Sequence, residues 1–237
     1  MFYRYLSLRI TLHTQPEYTS ARAYSGSSLH PSSTAILAAV QLEQTTMRTT
    51  IFSTPIVTPV LRFLAILILK LTGWKAVGSK VSVPKYVLIG APHTSNWDFP
   101  LMLLVVLELR LQLYWMGKHT LFPFPFSGLM KWLGGIPINR AKSHNVVFDV
   151  VKQFKDNETF VVLVPPEGTR SKVAHWKTGF YHIANNAEVP ILMGYVDAKQ
   201  KEGGFADFFY PTGDLEADMK EIRAFYAQKQ GLRAENS

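Results

Sequence analysis

The sequence predicts an α/β fold, a single domain with a largely parallel central sheet flanked by helices and preceded by an N-terminal membrane-associated helix. Two observations carry the α/β assignment. Short apolar runs of strand length recur from residue 85 onward, and segments with helical spacing separate them. Length sets the scale, since 237 residues allow one such domain with an extension but not two large domains.

Taken in order, residues 1–46 read differently from the rest. They are rich in Ser and Thr and hold Arg4, Arg9 and Arg22 against Glu17 and Glu43. This composition fits an organelle-targeting segment. It fits equally an unstructured tail, or an upstream extension with the start at Met47. Residues 55–73, PIVTPVLRFLAILILKLTG, predict a helix with Pro59 in its first turn and Gly73 as its stop. Only seven uncharged residues separate Arg62 from Lys70, whereas a spanning helix needs roughly 20 apolar residues. The segment therefore suits a helix lying in a membrane interface, its cationic ends reaching towards phosphates. A core helix of a soluble protein is the competing reading. The division that follows is an extension over 1–46, a membrane-interacting helix over 47–75 and the main domain over 76–237.

Within that domain, residues 86–91 (YVLIGA) predict a strand, and a helix follows from about Trp97 to Leu109. Residues 112–118 predict a strand, 126–133 a short helix and GIPIN a further strand. Val146, Val147, Val150, Val151 and Phe154 recur at helical spacing over 145–156. TFVVLVP (159–165) predicts a buried strand, 177–187 a helix, 191–196 a strand and 215–230 a last helix capped by Asp214.

Composition narrows the partners. A net charge of +8 on an apolar, aromatic-rich chain points to nucleic acid or an anionic membrane. Without a Lys/Arg-rich run or zinc-ligand spacing, membrane is favoured and nucleic acid is not. The absence of cysteine excludes a thiol nucleophile, a disulfide framework and a zinc–thiolate site. His119, His144, His175 and His182 show no ligand spacing, so neither a metal nor a cofactor is expected.

Three constellations carry chemistry. His93-Thr94-Ser95-Asn96-Trp97-Asp98 follows an apolar strand and opens a helix, where sites cluster in open α/β sheets. An Asp five residues after a His can fix the imidazole tautomer and leave the other nitrogen free to take a proton. The same pair could merely cap the helix. Pro165-Pro166-Glu167-Gly168-Thr169-Arg170-Ser171 follows a strand. Gly168 permits a close backbone approach, Arg170 offers a planar fork suited to phosphate, and Thr169 and Ser171 add hydroxyls. An ordinary turn is the alternative. Gly135–Arg140, GIPINR, ends a strand in a second fork, or in a solvated arginine.

These blocks resemble the glycerophospholipid acyltransferase family that includes the 1-acylglycerol-3-phosphate acyltransferases. The family pattern is H-x4-D, G-x-x-x-x-R, an aromatic followed by P-E-G-T-R-S, and an apolar block containing V-P. Here these read HTSNWD, GIPINR, PPEGTRS and VPILMG (Val189–Gly194), in the same order over residues 85–196. Three positions depart from the pattern. Pro165 stands where an aromatic is common, Asn139 where an acid is usual, and Met193 and Gly194 at a more often proline-containing end. They bear on acceptor and chain-length preference more than on the chemistry.

The resemblance implies an O-acyltransferase of phospholipid biosynthesis, membrane-associated in a monotopic or peripheral manner. Its donor would be acyl-CoA or acyl carrier protein and its acceptor a lysophosphatidate-like lysophospholipid. It implies His93 as general base with Asp98 orienting it. Arg140 and Arg170 would hold the acceptor phosphate, Glu167, Gly168 and Thr169 would shape that pocket, and Lys118 is a further candidate for phosphate contact. No acyl-enzyme is needed. Other acceptors, such as glycerol 3-phosphate, another lysophospholipid or an acylated amino acid, fit the same residues. A non-catalytic lipid-binding protein on this fold is a second alternative. A serine hydrolase is disfavoured because no G-x-S-x-G elbow is present.

Overall fold

A computed structural model of the chain describes residues 48–138 and 143–236, with the side chains of 143–145 undescribed. The 1–46 segment, Asn139 and Arg140 lie outside the described residues.

The apolar runs become the middle of a seven-stranded sheet. Strand β1 is Lys75–Val77, β2 Lys85–Ala91, β3 Tyr114–Lys118, β4 Gly135–Ile138, β5 Phe160–Val164, β6 Ile191–Asp197 and β7 Glu202–Phe209, in the spatial order β1-β7-β6-β2-β5-β3-β4. All neighbouring pairs are parallel except β6 with β7. Central strand β2 is covered on both faces, so its residues are apolar without alternation. Its side chains still divide with period two. Val87 and Ile89 pack on one face with Phe154, Val162, Phe180, Ile183, Ile191 and Ile222. Tyr86 and Leu88 pack on the other with Ala65, Val106, Leu113, Trp115 and Leu192.

Helices supply both covers. Helix α1 is Val57–Thr72, α2 Asp98–Glu108, α3 Ser127–Trp132, α4 Ser143–Asp156, α5 Gly179–Ala187 and α6 Leu215–Tyr226. Helices α4, α5 and α6 contribute to the first cluster, and α1 and α2 to the second. Asp214 caps α6 as predicted, accepting from the backbone N–H groups of Glu216 and Ala217 at 3.1 Å each. Helix α6 stops at Tyr226 rather than at residue 230, because the chain then turns back to β6. Gln230 O accepts from Ala198 N–H at 2.7 Å, and the Tyr226 hydroxyl donates to Gly194 O at 2.8 Å.

Helix α1 ends at Gly73 in the left-handed conformation (φ 76°). Only Ala65 and Leu69 are buried on it, while Val60, Phe63, Leu64, Leu67, Ile68 and Leu71 are exposed. Their spacing of i, i+3, i+4, i+7, i+8 and i+11 makes one apolar outward stripe. Of the two bracketing cations only Lys70 is exposed. Arg62 instead donates through Nε to Glu108 O at 3.3 Å, at the end of α2, where an unpaired helix carbonyl welcomes a cation. No helix among the described residues is long and apolar enough to cross a membrane.

Candidate active site

Strand β2 ends at Ala91 and α2 begins at Asp98, so the loop between them stands at the carboxyl edge of the parallel strands. The loop is organised around one carboxylate oxygen. Asp98 Oδ2 accepts from His93 Nδ1 at 2.9 Å and from the N–H groups of Thr94 and Ser95 at 2.7 and 2.8 Å. Asp98 is buried in the first turn of α2, where the helix dipole favours a negative charge. Three donors converge on its Oδ2, while buried Oδ1 has no hydrogen-bond partner among the described residues. With Nδ1 donating to Asp98, the free lone pair of His93 is on Nε2. The imidazole is partly exposed, at 29% of its side-chain surface.

Strand β5 delivers the second block beside the first. Gly168 has φ 65°, a left-handed conformation that a side chain resists. The bend turns Glu167 inward. Its Oε1 accepts from the His93 backbone N–H at 3.1 Å, and Oε2 is enclosed without a hydrogen-bond partner among the described residues. Burial pushes the Glu167 carboxyl above its ordinary value, only partly offset by the N–H groups that it accepts from. Arg170, two residues past the bend, is exposed and donates through Nη1 to Asn96 Oδ1.

His93, Asn96, Asp98, Lys118 and Arg170 line the polar part of a cavity of about 360 Å³. The remainder runs between α2 and the sheet and is apolar, lined by Leu101, Val105 and Val106 of α2 and by Leu109 just after it, against Leu163 and Phe205. Imidazole, cationic groups and an apolar chamber thus share one continuous space. The arrangement can take a proton beside the Asp98-held ring, hold an anion with Arg170 and Lys118, and bury an alkyl chain.

A family model described as Acyltransferase matches residues 77–193. The 1-acyl-sn-glycerol-3-phosphate acyltransferase of Salmonella typhimurium is 35% identical over 109 residues, 43% of this chain and 43% of that protein. The Escherichia coli protein of the same name is 39% identical over 83 residues, 32% of this chain and 34% of its own length. The chain belongs to this acyltransferase family. It matches less than half the length of these curated relatives. The crystal structure of the 1-acyl-sn-glycerophosphate (LPA) acyltransferase of Thermotoga maritima shares the fold, with a TM-score of 0.50 and 18% identity over 83% of this chain and 91% of that one.

The structure of this family member brings His93, Asp98, Lys118, Glu167, Gly168 and Arg170 to one edge of the sheet. Glu167 and Thr169 make contacts that the sequence does not announce. Glu167 does not line the cavity but braces the His93 backbone. Thr169 is exposed, and its Oγ1 accepts from Ser171 N–H at 3.4 Å, which stiffens the bend. Arg140, expected as the second fork, lies outside the described residues. Sequence reasoning missed Asn96 as the partner of Arg170 and missed the chamber altogether. The chamber did leave a signal. Residues 99–107, FPLMLLVVL, are apolar all round, as befits a helix packed on α1 outside and facing sheet and cavity inside. Among the described residues no group of three or more His, Cys, Asp or Glu is clustered as metal ligands would be.

Proposed function

We propose that this protein transfers a fatty acyl group from an acyl thioester, acyl-CoA or acyl carrier protein, to the free hydroxyl of a lysophosphatidate-like acceptor at a membrane surface. The observation that carries the reading is the Asp98-held imidazole at the mouth of an apolar chamber with Arg170 and Lys118 at the same mouth. The acceptor hydroxyl is a poor nucleophile until its proton leaves. His93 takes that proton on Nε2 as the oxygen attacks the thioester carbonyl, assistance worth about 10²–10⁴-fold. Asp98 stabilises the imidazolium that results. Collapse of the tetrahedral intermediate expels the thiolate, His93 returns the proton to sulfur, and the products are an ester and a free thiol. No acyl-enzyme forms, so Ser95 and Ser171 are not nucleophiles. The chamber receives the donor's alkyl chain, and Arg170 and Lys118, with Arg140, receive the acceptor phosphate.

The membrane part rests on apolar surface that no other described element covers. In addition to the stripe on α1, Trp97, which precedes Asp98 in the chain, is 73% exposed, and Phe124, in the proline-rich segment before α3, is 95% exposed. Leu121, Phe126 and Leu129 are exposed in the same stretch, and Leu121 also lines the cavity. So much exposed apolar surface suits a lipid interface. Residues 47–75 are then the membrane-interacting segment and 76–237 the catalytic domain, held to the bilayer from one side. Related acceptors remain open to the same residues, and a panel separates them.

The test is acyl transfer by membranes carrying the protein, with lysophosphatidate, glycerol 3-phosphate, neutral lysolipids and an acylated amino acid offered in parallel. Lysophosphatidate should be preferred. His93→Ala should abolish turnover, and Asp98→Asn should lose most of it, because a neutral amide cannot stabilise imidazolium. Wild-type turnover in either variant would remove the base assignment. A folded wild-type protein inactive on the whole panel would favour lipid binding without catalysis.

A further inference from the structure

The chain beyond α6 crosses back over the loop that carries His93. Its start is pinned to the end of β6 by the bond from Ala198 N–H to Gln230 O. Leu232 packs against Leu69 of α1 and Leu101 and Val105 of α2. Arg233 N–H then donates to Thr94 Oγ1 at 3.1 Å, and Asn236 Nδ2 donates to Thr94 O at 3.3 Å. Gly231 is buried against the same side chain. A Cβ at this position would stand 2.4 Å from Thr94 Cγ2 and 2.5 Å from Oγ1.

All of this converges on one residue. Thr94 is 2% exposed, lies directly after His93 in the chain, and gives its own N–H to Asp98 Oδ2 at 2.7 Å. Its backbone nitrogen therefore holds the carboxylate, while the tail holds its hydroxyl and carbonyl. The loop from Pro92 to Asn96 has no helix or strand pairing of its own, so its position depends on such outside contacts. Glu167 holds it from one element, through the His93 N–H. From this geometry we infer that residues 231–236 are a strap that sets the position of the His93–Asp98 pair, with Thr94 and Gly231 as positioning residues that do not touch substrate. The inference rests on His93 being the base. The strap matters because a misplacement of about 1 Å at a reacting group can cost about 10²-fold in rate.

Three substitutions in the full-length protein test it. Thr94→Val keeps the shape and removes the acceptor for Arg233 N–H. Gly231→Ala drives a methyl group into Thr94. Thr94→Ser keeps the hydroxyl. The measurements are kcat, KM for donor and acceptor, and the thermal midpoint, each in the wild-type and in the Asp98→Asn background. Thr94→Val and Gly231→Ala should lower kcat about tenfold or more with both KM values held, and Thr94→Ser should retain most turnover. In the Asp98→Asn background the same changes should cost far less, because the group they position is already disabled. A mere loss of folded protein would multiply through both backgrounds alike. That result, or wild-type kcat in Thr94→Val, overturns the strap. Should Gly231→Ala fail to fold, Thr94→Val decides alone. If His93→Ala and Asp98→Asn themselves keep full turnover, it is the base assignment that falls, and the strap with it.

Discussion

Val106→Phe tests whether the chamber receives an acyl chain. Val106 is buried, lines the cavity and lies eight residues after Asp98 in α2, which is about 12 Å along a helix rising 1.5 Å per residue. A thioester carbonyl held beside His93 would send its alkyl chain past this position. The larger ring should occupy the deeper part of the chamber and leave the mouth unchanged. Each methylene denied burial forfeits about 0.8 kcal/mol, or roughly fourfold. A long chain that loses its last three methylenes to the ring should fall by about 2.4 kcal/mol, near fiftyfold in kcat/KM. A chain short enough to stop before Val106 should keep its rate. The assay is kcat/KM over a series of saturated donors with one acceptor, repeated over a series of acceptor chains with one donor. A uniform loss across all donor lengths would report damaged packing instead. An unchanged donor profile would refute the assignment of the chamber, and a shift only in the acceptor series would give the chamber to the acceptor's chain.

Arg170→Lys keeps the charge but loses the fork that Asn96 orients. It should raise KM for a phosphate-bearing acceptor, and a rise confined to the donor's KM would transfer the residue to the donor. Replacing Phe63, Leu67 and Leu71 together with Ser should release the protein from anionic liposomes in a flotation assay while leaving the fold intact, since all three side chains are exposed. Retention of full binding would remove α1 from the membrane contact. Burial raises the Glu167 carboxyl above the ordinary value of 4.5, so the folded protein keeps this proton to higher pH than the unfolded chain does. Its stability contribution is fully present below the unfolded value and is lost as pH rises through the folded one. Glu167→Gln cannot ionise and keeps an oxygen for the His93 N–H. Its thermal midpoint should therefore gain on the wild type as pH rises through that window, and parallel midpoint curves would contradict the assigned burial cost.

How much of this was legible in the sequence depends on whether each signal was local. The strands from β2 to β6 and the helices from α2 to α6 announce themselves by apolar runs, periodicity and a cap, and they lie within a few residues of their expected bounds. β1 and β7 went unread. β1 is three residues long, and β7 carries Gly203 and Gly204 in its first half, which reads as a turn. Both exist because of pairing. β7 adds antiparallel to β6, and β1 then lies parallel to β7 through Lys75, Ala76 and Val77 against Glu202, Gly203 and Gly204. Propensity within a segment carries no such information, because it records no pairing, and the partners of β1 are over a hundred residues away.

The same distinction runs through the site. The His93–Asp98 contact spans five residues and is written into one loop, so a motif suffices to find it. The resemblance assigns Glu167 to the shaping of a phosphate pocket, with Arg170 three residues on. The left-handed bend at Gly168 sends the two side chains to different tasks, Arg170 to the rim and Glu167 to the backbone of His93. Thr94 is harder still, since its partners Gly231, Arg233 and Asn236 arrive from the far end of the chain. Charged and nucleophilic residue types advertise chemistry, whereas residues that hold those groups in place are commonly a threonine, a glycine and a backbone N–H. Such residues become visible only when distances are known, and geometry at the base is where small displacements cost most. A search for function in this fold therefore has to follow the hydrogen bonds outward from Asp98, not stop at the side chains that can ionise.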